Sequence, residues 1–194
     1  VEHHLIAFFE VVILESLARY VGFKQFSGVM LPQFVLDLLG EQLAVCKELG
    51  VNAPVYISAG LDEKAYDSHP EWRWICSKNK EDVLDNHNGT HFHQLCFNTG
   101  YLDVLCSQVE EVMEKYNPCG IFLDIISPKV CYCDNCLADM KALGLDVESA
   151  EDRERFSHIV FDKYVKATNA AVRKHSDTAT IFHNSGHIPK GNHS

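Results

Sequence analysis

The chain has 194 residues, which is enough for one domain with a sizeable hydrophobic core. Its formal net charge is -10 and 46% of its residues are hydrophobic, so the composition is globular and lacks the excess of Lys and Arg that nucleic acids or anionic membranes attract. We therefore expect no nucleic-acid or membrane partner, and a neutral or polar small-molecule substrate fits this composition better.

The ends of the chain and its eight cysteines bear on its location. No apolar run of about 18 residues indicates a membrane span, and no basic segment before an apolar core indicates a signal peptide. We therefore expect a cytoplasmic protein whose cysteines are metal ligands or buried thiols rather than disulfides. Because the chain begins with Val1 instead of Met, we also expect it to be a piece of a longer protein.

The first half of the chain contains one clear helix and one clear strand. Residues 1–35 hold an apolar block without a clear period, and we predict no element there. Apolar spacing predicts a helix over 37–49 that ends at Gly50. Its inward side chains would be Leu39, Leu43, Cys46 and Leu49. A strand follows over 55–59, and residues 62–100 are predicted to be mostly loop.

The second half alternates more regularly between helices and strands. We predict a helix over 100–116, a buried strand over 120–126 and a short helix over 137–143. A long helix begins after the N-cap Ser149 and runs to about residue 175, before a strand over 180–183. The inward side chains would be Leu102, Leu105, Val109, Val112 and Met113 on the first helix, and Phe156, Ile159, Val160, Tyr164, Ala167 and Ala171 on the long one.

This alternation is typical of an α/β fold with a parallel sheet and right-handed crossovers. We predict one incomplete domain over 1–194 that forms about half of a (β/α)8 barrel, because a complete barrel needs about 250 residues. The long loops follow strands. Since α/β folds place their sites in the loops at the carboxyl ends of parallel strands, we expect the functional site there.

Three cysteines lie close together in the segment Cys131-Tyr-Cys133-Asp-Asn-Cys136. Thiolates at this spacing can face one tetrahedral zinc ion if a fourth ligand comes from elsewhere. We predict Cys96 as that ligand and a structural zinc, because four thiolates leave no open position for chemistry. The alternative fourth ligands are Cys76, His87, His91 and His93. The other interpretation is a loop of three reduced cysteines without a metal.

Asp124 is the only charged residue in the apolar segment from Gly120 to Ile126. A carboxylate at the end of a buried strand costs free energy unless it is paired or has a function. Asp124 is therefore a candidate catalytic carboxylate at the carboxyl end of the sheet. The alternative interpretations are a helix N-cap and an ion pair with Lys129.

Polar and aromatic residues at other strand ends suit carbohydrate binding. The paired imidazoles of His3 and His4 can hydrogen-bond sugar hydroxyls, unless they belong to an exposed terminal segment. The Trp72 ring lies in a loop after a strand and can stack on the apolar face of a sugar, with packing inside that loop as the alternative. His183 and Asn184 form a further polar strand end of the same type.

Several segments, taken in order, resemble the catalytic barrel of the hypothetical glycosyl hydrolase 6 family, which groups with bacterial α-L-fucosidase-like enzymes. They are Val1-Glu-His-His4, Asp37-Leu-Leu-Gly-Glu-Gln42, Pro54-Val-Tyr-Ile-Ser58, His69-Pro-Glu-Trp-Arg73, Cys96-Phe-Asn-Thr99, Gly120-Ile-Phe-Leu-Asp124, Cys131–Cys136 and His183-Asn-Ser-Gly-His187. The resemblance covers residues 36–187. It implies a (β/α)8 barrel, a carbohydrate substrate and retaining glycoside hydrolysis.

The resemblance also implies roles for individual residues. In α-L-fucosidases the nucleophile is an aspartate at the end of the fourth barrel strand, and Asp124 matches that position. A histidine pair at an earlier strand end contacts fucose in those enzymes, and His3 and His4 resemble it. The cysteine pattern is similar to the zinc cluster of family forty-two β-galactosidases, in which a Cys-x-Asn segment supplies the fourth thiolate. Cys96 matches that segment.

We therefore predict a retaining, α-L-fucosidase-like glycoside hydrolase with Asp124 as its nucleophile. Its substrate-binding residues would be His3, His4, Trp72, His183 and Asn184. The acid/base carboxyl group is expected later in the barrel, with Glu63 and Glu71 less favoured, so the chain alone is expected to be inactive. The alternatives are a non-catalytic zinc-stapled carbohydrate-binding or structural module and a metal-dependent barrel hydrolase. The ligands of that second metal would be His3, His4, Asp124 and His183.

Overall fold

The computed structural model describes residues 37–78 and 93–184. The predictions for His3, His4, His87 and His91 lie outside the described residues. The described residues fall into two compact units that divide between Pro54 and Val55, and the single domain over 1–194 stays a prediction. The elements of the described residues are, in chain order, α1 (Leu38–Glu48), β1 (Val55–Ser58), α2 (Glu63–Ser68), a 3₁₀ helix (Pro70–Trp72), α3 (Tyr101–Tyr116), β2 (Gly120–Asp124), α4 (Asp134–Ala142), α5 (Ala150–Arg173) and β3 (Thr180–His183).

The described part of the first unit contains α1. The Asp37 carboxylate begins this helix by accepting a hydrogen bond from the Gly40 N–H at 3.1 Å, and Gly50 follows its end with a left-handed φ of 68°. The helix is confirmed, but its predicted inward side chains are not fully buried: Leu39, Leu43 and Cys46 are half-buried, and Leu49 is 73% exposed. Spacing gathers apolar residues on one face of a helix, but only a covering element buries that face.

The second unit is built on a parallel sheet with the strand order β1-β2-β3. Each strand pairs with the next strand along the chain, with Val55 opposite Ile121 and Ile121 opposite Ile181. The predicted α/β fold with a parallel sheet is confirmed. β2 ends earlier than predicted, at Asp124, because the backbone of Ile125 turns into the left-handed region.

The two long helices α3 and α5 pack against each other. α5 begins at Ser149 as predicted, since the Ser149 hydroxyl accepts a hydrogen bond from the Asp152 N–H at 3.3 Å. The predicted inward face of α3 is confirmed in full, because all five of its residues are buried. On α5, however, Ile159 is 41% exposed because it lies at the edge of the apolar stripe.

One face of the sheet is covered by these helices. Ile57, Leu123 and His183 lie side by side on this face. The Tyr101 hydroxyl, at the start of α3, donates to the backbone oxygen just beyond β1 at 2.9 Å, and the Tyr164 hydroxyl of α5 lies 3.2 Å from Nδ1 of His183. The core of the unit therefore lies between this face and the two helices.

The opposite face carries a row of aromatic rings. Tyr56, Phe122 and Phe182 stand in register, with ring centroids 5.7 Å apart in the first pair and 4.8 Å apart in the second. Phe182 is 54% exposed. Asp124 lies on this face too, because it follows Phe122 by two residues on the same strand.

The connection between β1 and α3 holds more helix than predicted. α2 begins at Asp62, whose carboxylate accepts a hydrogen bond from the Ala65 N–H at 2.9 Å, and the 3₁₀ helix follows it. These elements are too short for apolar spacing to reveal. α4 likewise begins earlier than predicted, directly after Cys133. Within residues 37–78 and 93–184, no helix has the length and apolar content that a membrane span requires.

Candidate functional site

The carboxylate of Asp124 lies at the carboxyl end of β2 among three hydrogen-bond donors. Its Oδ1 accepts hydrogen bonds from the Ile125 backbone N–H at 2.8 Å and from the Asn184 side-chain amide at 2.7 Å. Its Oδ2 accepts one from the Tyr56 hydroxyl at 2.8 Å. Donors on both oxygens hold the carboxylate in one orientation, and none of the three donors carries a charge.

Strand register brings these groups together. Ser58 lies opposite Asp124, so Tyr56, two residues before Ser58, projects from the same face of the sheet. Asn184 follows β3 directly, and its backbone N–H donates to the Leu123 oxygen at 2.8 Å. Sequence reasoning named Asp124 and Asn184 but missed Tyr56. The period-two alternation of β1 was the available signal, but it does not tell which strands are neighbours.

The backbone directly after Asp124 is strained. Ile125 has a φ of 61°, which a β-branched residue rarely adopts and which costs about 1–3 kcal/mol. A Cβ atom at Gly60 would lie 2.0 Å from the Ile125 backbone oxygen, so only glycine permits the contact between the loops that follow β1 and β2. The Gly60 N–H also donates to the Asp124 backbone oxygen at 3.3 Å. Backbone strain of this kind clusters at functional sites.

Lys129, the alternative partner of Asp124, makes other contacts. Its ammonium group donates to the Gln94 side-chain oxygen at 2.5 Å and stands 5.6 Å from the centroid of the Trp74 ring. Burial lowers the pKa of Lys129. The three donors to Asp124 do not include Lys129, so the ion-pair interpretation of this carboxylate is wrong.

Trp72, a predicted sugar contact, packs within its own loop region. Its ring stacks on His69 with the ring centroids 3.6 Å apart. The same ring lies against Gly100, where a Cβ atom would be 3.0 Å away. The carboxylate of Glu71 accepts a hydrogen bond from the His69 ring at 3.0 Å. Sugar stacking by Trp72 stays a prediction.

His183 and Asn184 are adjacent in sequence but face different partners. The His183 ring lies on the helix-covered face, with Nε2 2.9 Å from the Asn169 side-chain oxygen and Nδ1 at the Tyr164 hydroxyl. Burial lowers the pKa of His183. Of the two residues, Asn184 therefore lies at the Asp124 carboxylate, whereas His183 joins the sheet to α5.

Four buried cysteines form a compact cluster beyond the strand ends. Their sulfur atoms all lie within 4.8 Å of one another, and the members are Cys96, Cys131, Cys133 and Cys136. The Cys96 sulfur is 3.5 Å from that of Cys136 and 3.8 Å from that of Cys133. A disulfide needs about 2.05 Å, whereas a tetrahedral zinc with bonds of about 2.3 Å separates its sulfurs by roughly 3.8 Å. The structure thus brings Cys96 to the other three cysteines as predicted, and the set fits a tetrahedral metal.

Two backbone N–H groups point at sulfur atoms of the cluster, as hydrogen-bond donors to thiolates do. The Asn98 N–H points at the Cys96 sulfur at 3.4 Å, and the Ile75 N–H points at the Cys131 sulfur at 3.5 Å. Hydrogen bonds with Cys131 are the largest cause of the pKa shifts in the cluster, which lower the pKa of Cys133 and raise the pKa of Cys96 and of Cys136. Donors aimed at sulfur stabilise the deprotonated form that binds metals.

The cluster is tied to the loop that begins at Asp124. The Trp74 indole N–H donates to the Val130 backbone oxygen at 2.9 Å, and the Tyr132 N–H donates to the Ile75 oxygen at 2.9 Å. The loop after β1 and the loop after β2 are therefore connected on both sides of Cys131. One cavity touches both the cluster and the strand ends, with Gly60, Trp74, Gln94, Ile125 and Cys131 among its lining residues.

The remaining candidates have other neighbours. His93, an alternative zinc ligand, lies with its Nδ1 2.6 Å from the Glu63 carboxylate. Cys76 is not part of the metal-type cluster found among the described residues. Of the other cysteines, Cys106 is half-buried and Cys119 is exposed. Burial is the largest cause that raises the pKa of Cys106.

The family model for hypothetical glycosyl hydrolase 6 matches residues 9–125. The chain belongs to this family. The matched segment includes β1, β2 and Asp124, so the resemblance seen in the sequence motifs is confirmed.

The chain is also similar to the solved structure of alpha-L-fucosidase isoenzyme 2 from Paenibacillus thiaminolyticus, with 36% sequence identity and a TM-score of 0.72. The similarity covers 86% of this chain but 25% of the fucosidase chain, so this chain spans about a quarter of that protein. No curated protein matches the chain. Most of this chain therefore shares its fold with a structure named as a fucosidase.

Proposed function

We propose that this chain is part of a glycoside hydrolase that cleaves α-L-fucoside-like bonds with retention, and that Asp124 is its nucleophile. The observation that carries the proposal is the oriented carboxylate at the end of β2, held by Tyr56, Asn184 and the Ile125 N–H. Family membership and similarity to a fucosidase structure support the reaction class. Retention and the fucoside specificity belong to the proposal.

In the proposed reaction, Asp124 attacks the anomeric carbon while a second carboxyl group protonates the leaving oxygen. The resulting glycosyl-enzyme ester is then hydrolysed by water, which the second carboxylate deprotonates. Retaining enzymes hold the two carboxyl groups about 5–5.5 Å apart. Glu63 and Glu71 are paired with His93 and His69, so we expect the second group from the part of the barrel that this chain does not supply.

The remaining predicted contacts complete the proposed site. We propose that the three-stranded sheet is one part of a (β/α)8 barrel whose interior is the face that carries Phe122 and Asp124. In that arrangement His3, His4, Trp72 and Asn184 would bind the sugar, with Asn184 also holding the nucleophile. His183 would instead support the site from the helix side, because its ring nitrogens contact Asn169 and Tyr164.

The natural protein that contains this chain provides the test. We expect it to hydrolyse 4-nitrophenyl α-L-fucoside, and we expect Asp124→Ala to lower kcat/KM by roughly a thousandfold or more, because the nucleophile is removed. Asp162→Ala, at an exposed position on α5, is the matched control and should keep full activity. Wild-type turnover in Asp124→Ala would contradict the assignment.

We further propose that the cysteine cluster holds one structural zinc ion. Four buried thiolates at near-tetrahedral separations would satisfy the ion completely, so it would supply no open position and no chemistry. The zinc would instead hold the loop after β2 against residues 74–75 and 96–98. Elemental analysis should find about one zinc per chain in the wild type and far less in Cys133→Ser.

The described residues give no specific support to the two alternative functions. A metal-dependent hydrolase would need open ligands near Asp124, but the ring of His183 is engaged on the opposite face. A non-catalytic module predicts sugar binding without turnover, and the nitrophenyl fucoside assay distinguishes it directly from the proposed hydrolase.

A further inference from the structure

The two oxygens of Asp124 are not equivalent. Oδ1 accepts two hydrogen bonds, from the Ile125 N–H and the Asn184 amide, whereas Oδ2 accepts one, from the Tyr56 hydroxyl. A carboxylate oxygen offers about two lone-pair directions, so within residues 37–78 and 93–184 Oδ1 is filled and Oδ2 keeps one lone pair for another partner. If Asp124 attacks carbon, the geometry favours Oδ2 as the attacking atom.

Tyr56 is held rigidly beside that oxygen. It is the second residue of β1, and strand pairing places it opposite Phe122 and on the same face as Asp124. Its ring stacks on Phe122 with an interplanar angle of 23°. Its hydroxyl then reaches past Phe122 to Oδ2 at 2.8 Å. A strand backbone and a ring stack fix a side chain more firmly than a loop does.

We propose that Tyr56 is a positioning residue for the second half of the reaction, an inference that rests on the proposed role of Asp124. In the first half, the Oδ2 lone pair forms a bond to the anomeric carbon, and the bond from that carbon to the leaving oxygen breaks. Oδ2 loses its negative charge in this step, so the hydrogen bond from Tyr56 weakens.

In the second half, a water oxygen bonds to the anomeric carbon and the bond between that carbon and Oδ2 breaks. The electron pair returns to Oδ2, and the water proton passes to the second carboxyl group. The Tyr56 hydroxyl donates to Oδ2 as its charge returns, and thus stabilises the departing carboxylate. Tyr56 therefore assists breakdown of the ester more than its formation.

Removal of one hydroxyl tests this role without disturbing the ring stack. In the natural protein that contains this chain, we expect Tyr56→Phe to lower kcat for 4-nitrophenyl α-L-fucoside by about 10- to 100-fold. KM should fall as well, because the glycosyl-enzyme accumulates, and kcat/KM should change much less. A pre-steady-state burst of nitrophenol should appear, and added azide, a better nucleophile than water, should raise kcat in this variant. Tyr116→Phe, on α3, is the matched control and should show none of these changes.

The outcomes separate this inference from the function on which it rests. An inactive wild-type protein, or a fully active Asp124→Ala variant, overturns the proposed function and this inference with it. An active wild type with an inactive Asp124→Ala variant, together with a Tyr56→Phe variant of unchanged kcat and no burst, overturns the role of Tyr56 alone. Equal losses in kcat and kcat/KM without a burst also overturn it, since they indicate a structural effect.

Discussion

The side chains of Asn98 and Asp139 form a hydrogen bond of 2.8 Å between the amide nitrogen of one and the carboxylate of the other. The same Asn98 directs its backbone N–H at the Cys96 sulfur and accepts a hydrogen bond from the Lys163 ammonium group at 3.1 Å. Asn98 is buried, and these contacts connect the cysteine cluster to α4 and α5 at once. A residue that hydrogen-bonds to a metal ligand holds that ligand in the orientation that binds the metal.

Asn98→Ala should therefore weaken metal binding although Asn98 is not itself a ligand. The substitution leaves Asp139 and Lys163 without their shared partner and frees the segment that carries Cys96. We expect zinc affinity to fall about 10- to 100-fold, measured by competition with a chromophoric chelator. Asn52→Ala, the same change at an exposed position, should leave zinc affinity unchanged. Equal affinities in the two variants would contradict this role.

Removal of the proposed zinc should destabilise the chain strongly. A ligand that binds only the folded state stabilises it by about 4 kcal/mol when its concentration is 1,000 times its Kd. We expect chelation, or the Cys133→Ser substitution, to lower the free energy of unfolding measured by urea titration by about 4 kcal/mol. Cys106→Ser, at a half-buried cysteine outside the cluster, should keep both the zinc content and the chelator sensitivity of the wild type. Chelator-insensitive unfolding of the wild type would contradict a structural metal.

The free energy of unfolding should decrease as the pH falls, and His183 should contribute to this decrease. Burial lowers the pKa of His183 in the folded state below the ordinary value near 6.5, so the unfolded state binds more protons as the solution becomes acidic. Its contribution to stability is therefore present above about pH 6.5 and is lost as the pH falls through the lowered folded pKa.

We expect the difference in free energy of unfolding between the wild type and His183→Gln to shrink between about pH 7.5 and pH 5.5. Urea titrations at several pH values measure this difference. His175→Gln, at an exposed histidine, is the control for the substitution itself. A difference that stays constant or grows as the pH falls would contradict the sign of this argument.

Gly60 should not tolerate a side chain. The alanine Cβ would lie 2.0 Å from the Ile125 backbone oxygen, and a backbone atom cannot move aside without shifting the turn that follows Asp124. We expect Gly60→Ala to lower the free energy of unfolding by about 1–3 kcal/mol, as overpacking does, and to shift the amide resonance of Ile125.

Gly144→Ala is the useful comparison for Gly60→Ala. It also introduces a methyl group, and at a φ of 72° it imposes backbone strain, but beyond its immediate chain neighbours no heavy atom of the described residues lies within 4 Å of the new Cβ. It should lower stability by about 1–2 kcal/mol through the backbone alone and leave the Ile125 resonance in place. An unchanged Ile125 resonance in Gly60→Ala would show that the two loops do not press together there.

Most elements of the second unit could be predicted because their signals are local. Apolar spacing predicts helices α3 and α5, and the cap at Ser149 marks the start of α5. The apolar run before Asp124 indicates a buried strand. α2 and the 3₁₀ helix were missed because six and three residues are too few to show a period. The prediction that Leu49 points inward was wrong, because burial depends on what covers a side chain and not on the apolar pattern alone.

By itself the sequence determined the alternation of helices and strands, the family, the carboxylate at a strand end and the cysteine spacing. These depend on neighbouring residues, and a linear pattern records them. Only the tertiary structure decided which distant groups meet. Strand register brought Tyr56 and Asn184 to Asp124 and placed His183 on the other face of the sheet. Contacts between the loops brought Cys96 to the remaining cysteines. Such contacts join residues far apart along the chain, and their geometry exists only after strands pair and helices pack.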